Sequence, residues 1–107
     1  MASKQFQLLA PTSKAVTFSS GAVNTKDDLY FSVQVITTSA ATLNVSLQLE
    51  VSNDGTNWAA EGSPIAVTTN TTTTFKSAPN AYAYARVTST RTAGTATFEM
   101  QAMTKGW

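Results

Sequence analysis

From residue 42 to residue 52 the chain reads Thr-Leu-Asn-Val-Ser-Leu-Gln-Leu-Glu-Val-Ser, and Leu43, Val45, Leu47, Leu49 and Val51 alternate strictly with polar neighbours. Extended backbone turns successive side chains to opposite faces, so this pattern predicts a strand with one dry face and one wet face. The stretch from Leu43 to Val51 spans roughly 30 Å at about 3.3 Å per residue, which is long for a strand. Burying its five apolar side chains contributes about 1.5 to 3 kcal/mol each before conformational entropy is set against it. A strand of this kind needs a second apolar layer over its dry face, and that requirement sets the fold class.

The remaining segments supply such a layer. In 29–38, Leu29, Phe31, Val33 and Val35 share one face, and Tyr30, Ser32, Gln34 and Ile36 share the other. Residues 37–41 (Thr-Thr-Ser-Ala-Ala) are expected to join this strand to the next as a hairpin. Asp54-Gly55 marks a turn, because Gly accepts positive φ and Asp bonds its own backbone. Short strands are predicted at 64–68 and 71–76, with Pro79-Asn80 as a break. Residues 81–88 alternate Ala81, Ala83, Ala85 and Val87 with Tyr82, Tyr84, Arg86 and Thr88, and either face fits the interior. Residues 89–94 read as a polar loop, and 95–103 place Ala96, Phe98, Met100 and Ala102 on one face. Residues 5–9 and 15–19 are weaker strand candidates. No segment has a helical period. The expected fold is all-β: a single antiparallel β-sandwich, jelly-roll-like, of seven or eight strands. It covers residues 1–107, with 1–12 as an N-terminal arm and 104–107 as a C-terminal tail.

Composition narrows function chiefly by exclusion. The 107 residues include no cysteine and no histidine, which removes disulfide scaffolds, zinc fingers and Cys- or His-dependent catalysis. Only 12% are charged, against about 25% in an average domain. Seven Lys and Arg are spread along the chain, without the clustering that nucleic-acid binding requires. No apolar run reaches the roughly 18 residues of a membrane span. The first ten residues, interrupted by Gln5 and Gln7, do not read as a secretory signal, and synthesis in a reducing cytoplasm is expected.

The residues that carry chemistry elsewhere look structural here. The six carboxylates are Asp27, Asp28, Glu50, Asp54, Glu61 and Glu99. Asp27 and Asp28 read as a solvated turn, and only Glu50 and Glu99, on the polar faces of two strands, are placed to meet as an acid pair. Asn53-Asp54-Gly55-Thr56-Asn57 is oxygen-rich, but Glu61 does not stand where a calcium loop needs its glutamate, so a plain hairpin turn is the better reading. The glycosylation sequons at Asn44 and Asn70 are discounted in a chain so rich in Ser and Thr. Trp58, Tyr30, Tyr82 and Tyr84 suit either a sandwich rim or a stacking platform for sugars. Trp107 suits either packing on its own domain or docking on a neighbour. The few charges on the strands leave sheet edges weakly guarded, as in a subunit of a permanent assembly.

Two segments together resemble known proteins. Residues 47–58, carrying Ser52, Asp54, Gly55 and Trp58, resemble a strand–turn–Trp signature, SxDGxxW. Tyr84-Ala85-Arg86-Val87 is similar to the YxRV strand that follows it. The pairing recurs in discoidin-like, galactose-binding jelly rolls. It also resembles small β-sandwich virion proteins of tailed bacteriophages, which often end in a strand like Thr92-Ala93-Gly94-Thr95-Ala96-Thr97 leading to Lys105-Gly106. The chain is tens of residues shorter than discoidin domains and lacks counterparts of their ligand loops. The virion resemblance implies a non-enzymatic capsid decoration protein, or a tail or neck accessory protein, present in many copies. Its implied partners are the major capsid protein and other virion proteins, with no cofactor, metal, nucleic acid or membrane. A carbohydrate-binding module is the rival reading. Interface candidates are Phe6, Leu8, Arg86, Arg91, Met103 and Trp107, and Asn53, Asp54, Gly55 and Trp58 form the expected structural turn and plug.

Overall fold

The computed structural model describes residues 3–26, 30–77 and 82–106. It contains eight strands: β1 (Ser3–Lys14), β2 (Phe18–Ser19), β3 (Val23–Asn24), β4 (Tyr30–Ser52), β5 (Ala59–Ala60), β6 (Ile65–Val67), β7 (Thr71–Ser77) and β8 (Tyr84–Lys105). All pairings are antiparallel and form one hydrogen-bonded sheet. Leu29, Asp27, Asp28, Pro79, Asn80, Ala81 and Trp107 lie outside the described residues.

The sandwich is made by bending rather than by stacking separate sheets. β4 has 23 residues, which laid flat would reach roughly 75 Å. The longest dimension of the molecule is 42 Å. β4 and β8 pair along their whole length, and this long ribbon folds over at its middle. Residues 30–38 of β4 and 96–105 of β8 form the centre of the first layer, flanked by β1 and β7. Residues 45–52 and 84–91 form the centre of the second, flanked by β2 and β3 on one side and β5 and β6 on the other. The expected hairpin at 37–41 and the expected loop at 89–94 are therefore both absent. Each stretch stays within its strand and forms the corner.

The corner also reverses the alternation of β8. Between the pairs Thr38↔Thr97 and Val45↔Arg91, β4 advances seven residues and β8 six. One extra residue on one strand bends a ladder and moves the partner's side chains to the other face. Accordingly β4 buries odd positions on both sides of the corner. β8 buries Ala85, Val87 and Ser89 before it and Ala96, Phe98, Met100, Ala102 and Thr104 after it. The two layers share one core, in which Leu47, Val33, Val35, Val87 and Met100 are fully buried. Phe18, from the edge of the second layer, packs on Phe98 of the first at 5.5 Å. The open choice at 81–88 is decided for Ala85 and Val87 inward and Tyr84, Arg86 and Thr88 outward.

Gly94 makes the bend possible. Its φ is +79°, and a Cβ there would lie 2.4 Å from the Thr42 carbonyl oxygen and 2.5 Å from that of Ala41. Ser39 and Thr42 also adopt positive φ, which is uncommon for residues with a Cβ. Side chains brace the crossing: Ala40 N donates to Asn70 Oδ1 at 2.9 Å, Arg91 Nε to the Gly94 carbonyl at 2.7 Å, and Arg91 N to Thr17 Oγ1 at 2.9 Å. Within the core, the hydroxyls of Thr37, Ser89 and Thr104 have no hydrogen-bond partner.

Gly94→Ala is expected to lose about 2 to 5 kcal/mol of stability, combining left-handed strain with overpacking against backbone. Gly62→Ala is the control, because Gly62 has the same sign of φ (+77°) and nothing near its missing Cβ; its loss should be only about 1 to 2 kcal/mol. Urea denaturation midpoints distinguish the two. Thr104→Val, which replaces an unpartnered buried hydroxyl, is expected to stabilise by roughly 1 kcal/mol in the same assay.

Candidate functional site

Two surface regions collect the residues singled out in the sequence. The first is the turn after β4. Ser52 is buried, and its Oγ accepts from the amides of Asp54 and Gly55 and donates to Asp54 Oδ1. Asp54 Oδ1 also accepts the amides of Thr56 and Asn57, both at 2.8 Å, and its Oδ2 accepts the Asn57 side-chain amide. The Asn57 amide foremost, then the Asn57 side chain, Thr56 and Ser52, hold the Asp54 carboxyl well below the usual carboxylate range. Gly55 supplies the left-handed step at φ +77° and lies against the Tyr84 ring. Asn53 Oδ1 accepts the Ala83 amide, tying the turn to the chain entering β8. The oxygens that resembled a calcium loop are thus consumed by the turn's own donors. Among the described residues no group of three acidic ligands converges anywhere.

Trp58 sits beside this turn, half-buried, with the Arg86 guanidinium 4.3 Å above its ring. Glu50 and Arg86 are directly opposed across β4 and β8, and Arg86 Nε meets Glu50 Oε1 at 2.8 Å. Thr88 Oγ1 donates to the same carboxylate oxygen at 2.6 Å. The ion pair is about a quarter exposed on each side and is worth at most about 1 kcal/mol. Its geometric effect is larger, since it fixes Arg86 over the indole. Tyr84 is covered likewise by Lys26, whose Nζ lies 5.0 Å above the ring. The Tyr82 hydroxyl is hydrogen-bonded to Glu61, which raises its pKa. Trp58 and Tyr84 thus each have a cation over one ring face.

Glu50 and Glu99 do not meet. Glu50 lies on the outer face of the second layer, while Glu99 lies on that of the first, where Gln101 Nε2 and Gln7 Nε2 donate to it at 3.1 and 3.4 Å. The expectation that they face one another fails because the ribbon bends between them.

The second region is on the first layer. Phe6 is 38% exposed, Tyr30 39% and Met103 44%. Register brings all three to one end of the layer but not to one face: Tyr30, opposite Lys105, and Met103, opposite Gln5 and Ser32, lie on the outer face, while Phe6, opposite buried Ala102, lies on the inner one. A shallow hollow of about 200 Å³ is lined by Tyr30, Phe31, Ser32, Lys76, Met103 and Lys105. Leu8 is half-buried and packs against the core. Arg91 lies at the corner, exposed, and holds the Gly94 carbonyl. The structure therefore places Phe6 and Met103 on opposite faces of the first layer and separates both from Arg86 and Arg91. Sequence reasoning missed Tyr30, Lys76 and Lys105 as members of this surface, because only the β4–β8 and β4–β7 registers bring them together.

The Asp54 turn carries a pH signature. A depressed carboxyl contributes stability above its unfolded value, about 3.9, and loses it only as pH falls through the lower folded value. Amides of Thr56 and Asn57 should therefore stay protected from hydrogen exchange at about pH 3. In Asp54→Ala they should exchange freely at about pH 3 and at neutral pH alike.

No family model and no curated protein matches the chain. Solved structures do. A Bacillus endospore appendage protein, from a family of disulfide-linked pili, aligns with a TM-score of 0.56 at 16% identity, over 98% of this chain and 89% of that one. A chain of the infectious bursal disease virus particle aligns with a TM-score of 0.61 at 12% identity, over 98% of this chain. The VP2 subviral particle of the same virus gives 0.60 at 13% identity, again over 98%. This chain spans about a third of those viral chains. At such identities the likeness is one of fold: the chain shares its β-sandwich with components of capsids and pili.

Proposed function

We propose that the chain is a non-enzymatic structural subunit of a tailed-bacteriophage virion, and specifically a decoration protein that bridges neighbouring capsid subunits. The observation that carries this reading is the apolar end of the first layer. Tyr30 and Met103 are exposed together on the outer face, with Lys76 and Lys105 lining the hollow beside them. An exposed apolar cluster with a cationic rim suits docking on an acidic protein surface. The fold shared with capsid and pilus components supports a role in multi-copy assembly. Among the described residues no acid pair faces across a cleft, which favours a binding role over a catalytic one.

The chemistry of attachment follows from the patch. Met103 and Tyr30 desolvate against an apolar spot on the capsid, and the lysines meet carboxylates around it. One such contact is weak, and many copies on one particle hold through avidity. Tail or neck attachment would use the same surface.

Co-sedimentation with capsids that lack this protein, from the phage that encodes it, tests the reading. The wild-type chain is expected to pellet with capsids, and Met103→Glu, a change at an exposed position, is expected to weaken binding by about tenfold or more. Absence of co-sedimentation at saturating protein would overturn capsid decoration. Specific retention on a glycan array would instead favour the sugar-binding alternative.

A further inference from the structure

The free edges of the first layer are treated very differently by the sequence. Its outer strands are β1 and β7, each paired on one side only among the described residues. An unpaired edge is a template for another strand, and proteins guard it with charge, proline or irregularity. β1 has all three: Lys4 and Lys14, Pro11, and register breaks between Gln7 and Leu9 and between Leu9 and Thr12. β7 has almost none. Its seven residues, Thr-Thr-Thr-Thr-Phe-Lys-Ser, pair with β4 in unbroken register from Thr71↔Thr37 to Ser77↔Phe31. It contains no proline and a single charge, Lys76.

We infer that β7 is a self-association edge, at which two copies of this chain pair β7 to β7 antiparallel about a twofold axis. Full overlap of the seven residues centres the axis on Thr74. Thr72 then stands opposite Lys76 of the second copy, and Thr73 opposite its Phe75. No like charges stand opposite one another. Thr72, Thr74 and Lys76 are exposed on the outer face, while Thr73 and Phe75 are buried on the inner one. Cross-strand partners therefore share a face, as an antiparallel ladder requires. β6 adds to the same side of β4 in the second layer, and its Ile65 is exposed there at 37%.

Pairing would join two four-stranded first layers into one continuous eight-stranded sheet. Both Lys76- and Met103-lined hollows would then open on the same side. This doubles the docking patch, yet it is read in solution without any capsid. Its failure would leave the assembly reading standing, and failed capsid binding would leave the dimer standing.

Sedimentation equilibrium of the full chain, up to about 1 mM, tests the inference, since an edge contact belongs to the weak class of interfaces. Three variants at exposed outer positions read the register, with circular dichroism as the check on folding. Thr72→Lys sets a second positive charge opposite Lys76, twice per dimer, and is expected to weaken dimerisation by roughly five- to thirtyfold. Thr72→Glu is expected to strengthen it by a similar factor. Thr72→Lys combined with Lys76→Glu sets opposite charges face to face again and should strengthen the dimer about as Thr72→Glu does. A wild-type chain that stays monomeric at the highest concentration would overturn the inference. So would a dimer whose strength is the same in all three variants.

Discussion

Everything in this structure depends on where the dry faces of β4 and β8 can go. Each strand has over twenty residues and an apolar face along most of its length. Left flat, the pair would expose that face to water on one side. Bending at the middle lets the ribbon cover itself, so one strand pair supplies the centre of both layers. The bend needs two carbonyl groups of β4 to pass within a Cβ's reach of β8, and only a residue without a Cβ fits there. Gly94 is that residue. The positive φ values at Ser39 and Thr42 are the matching distortion on the other strand, and burial of the shared core offsets their strain.

The same bend organises the surface. It sends Glu50 and Glu99 to opposite outer faces, which separates the two carboxylates that the strand pattern would have allowed to meet. It keeps Arg86 opposite Glu50, where a hydrogen-bonded pair holds the guanidinium over Trp58. The turn from Ser52 to Trp58 is then a rim in which Ser52, Asp54 and Asn57 bond one another and the turn's amides. What is left open to partners is a largely uncharged exterior, a lysine-flanked apolar end on the first layer, and the plain edge of β7.

Much of the fold was legible in advance, for a definite reason. Period-two alternation reports which residues share a face, and the faces read from Leu43 to Val51 and from Ala96 to Ala102 are buried as expected. The Asp54-Gly55 turn was equally legible, because its hydrogen bonds are all local. The corner was not. A bulged, polar stretch such as Thr38 to Ala41, or Thr90 to Gly94, breaks alternation just as a loop does, and pairing with a distant strand is what keeps it extended. Of the residues on the outer surface, Met103 could be picked out as an apolar residue late in the sequence. Tyr30, Lys76 and Lys105 join Met103 only through strand register.

The sequence by itself determined that the chain is all-β, which face of 43–51 and of 96–102 is dry, and where the Asp54-Gly55 turn falls, because these follow from local stereochemistry and side-chain polarity. The tertiary structure decided that two strands would build both layers and which face of 84–88 turns inward. It also decided which apolar and cationic side chains share one surface. Those outcomes rest on a one-residue slip between two strands far apart along the chain, and no local pattern records it.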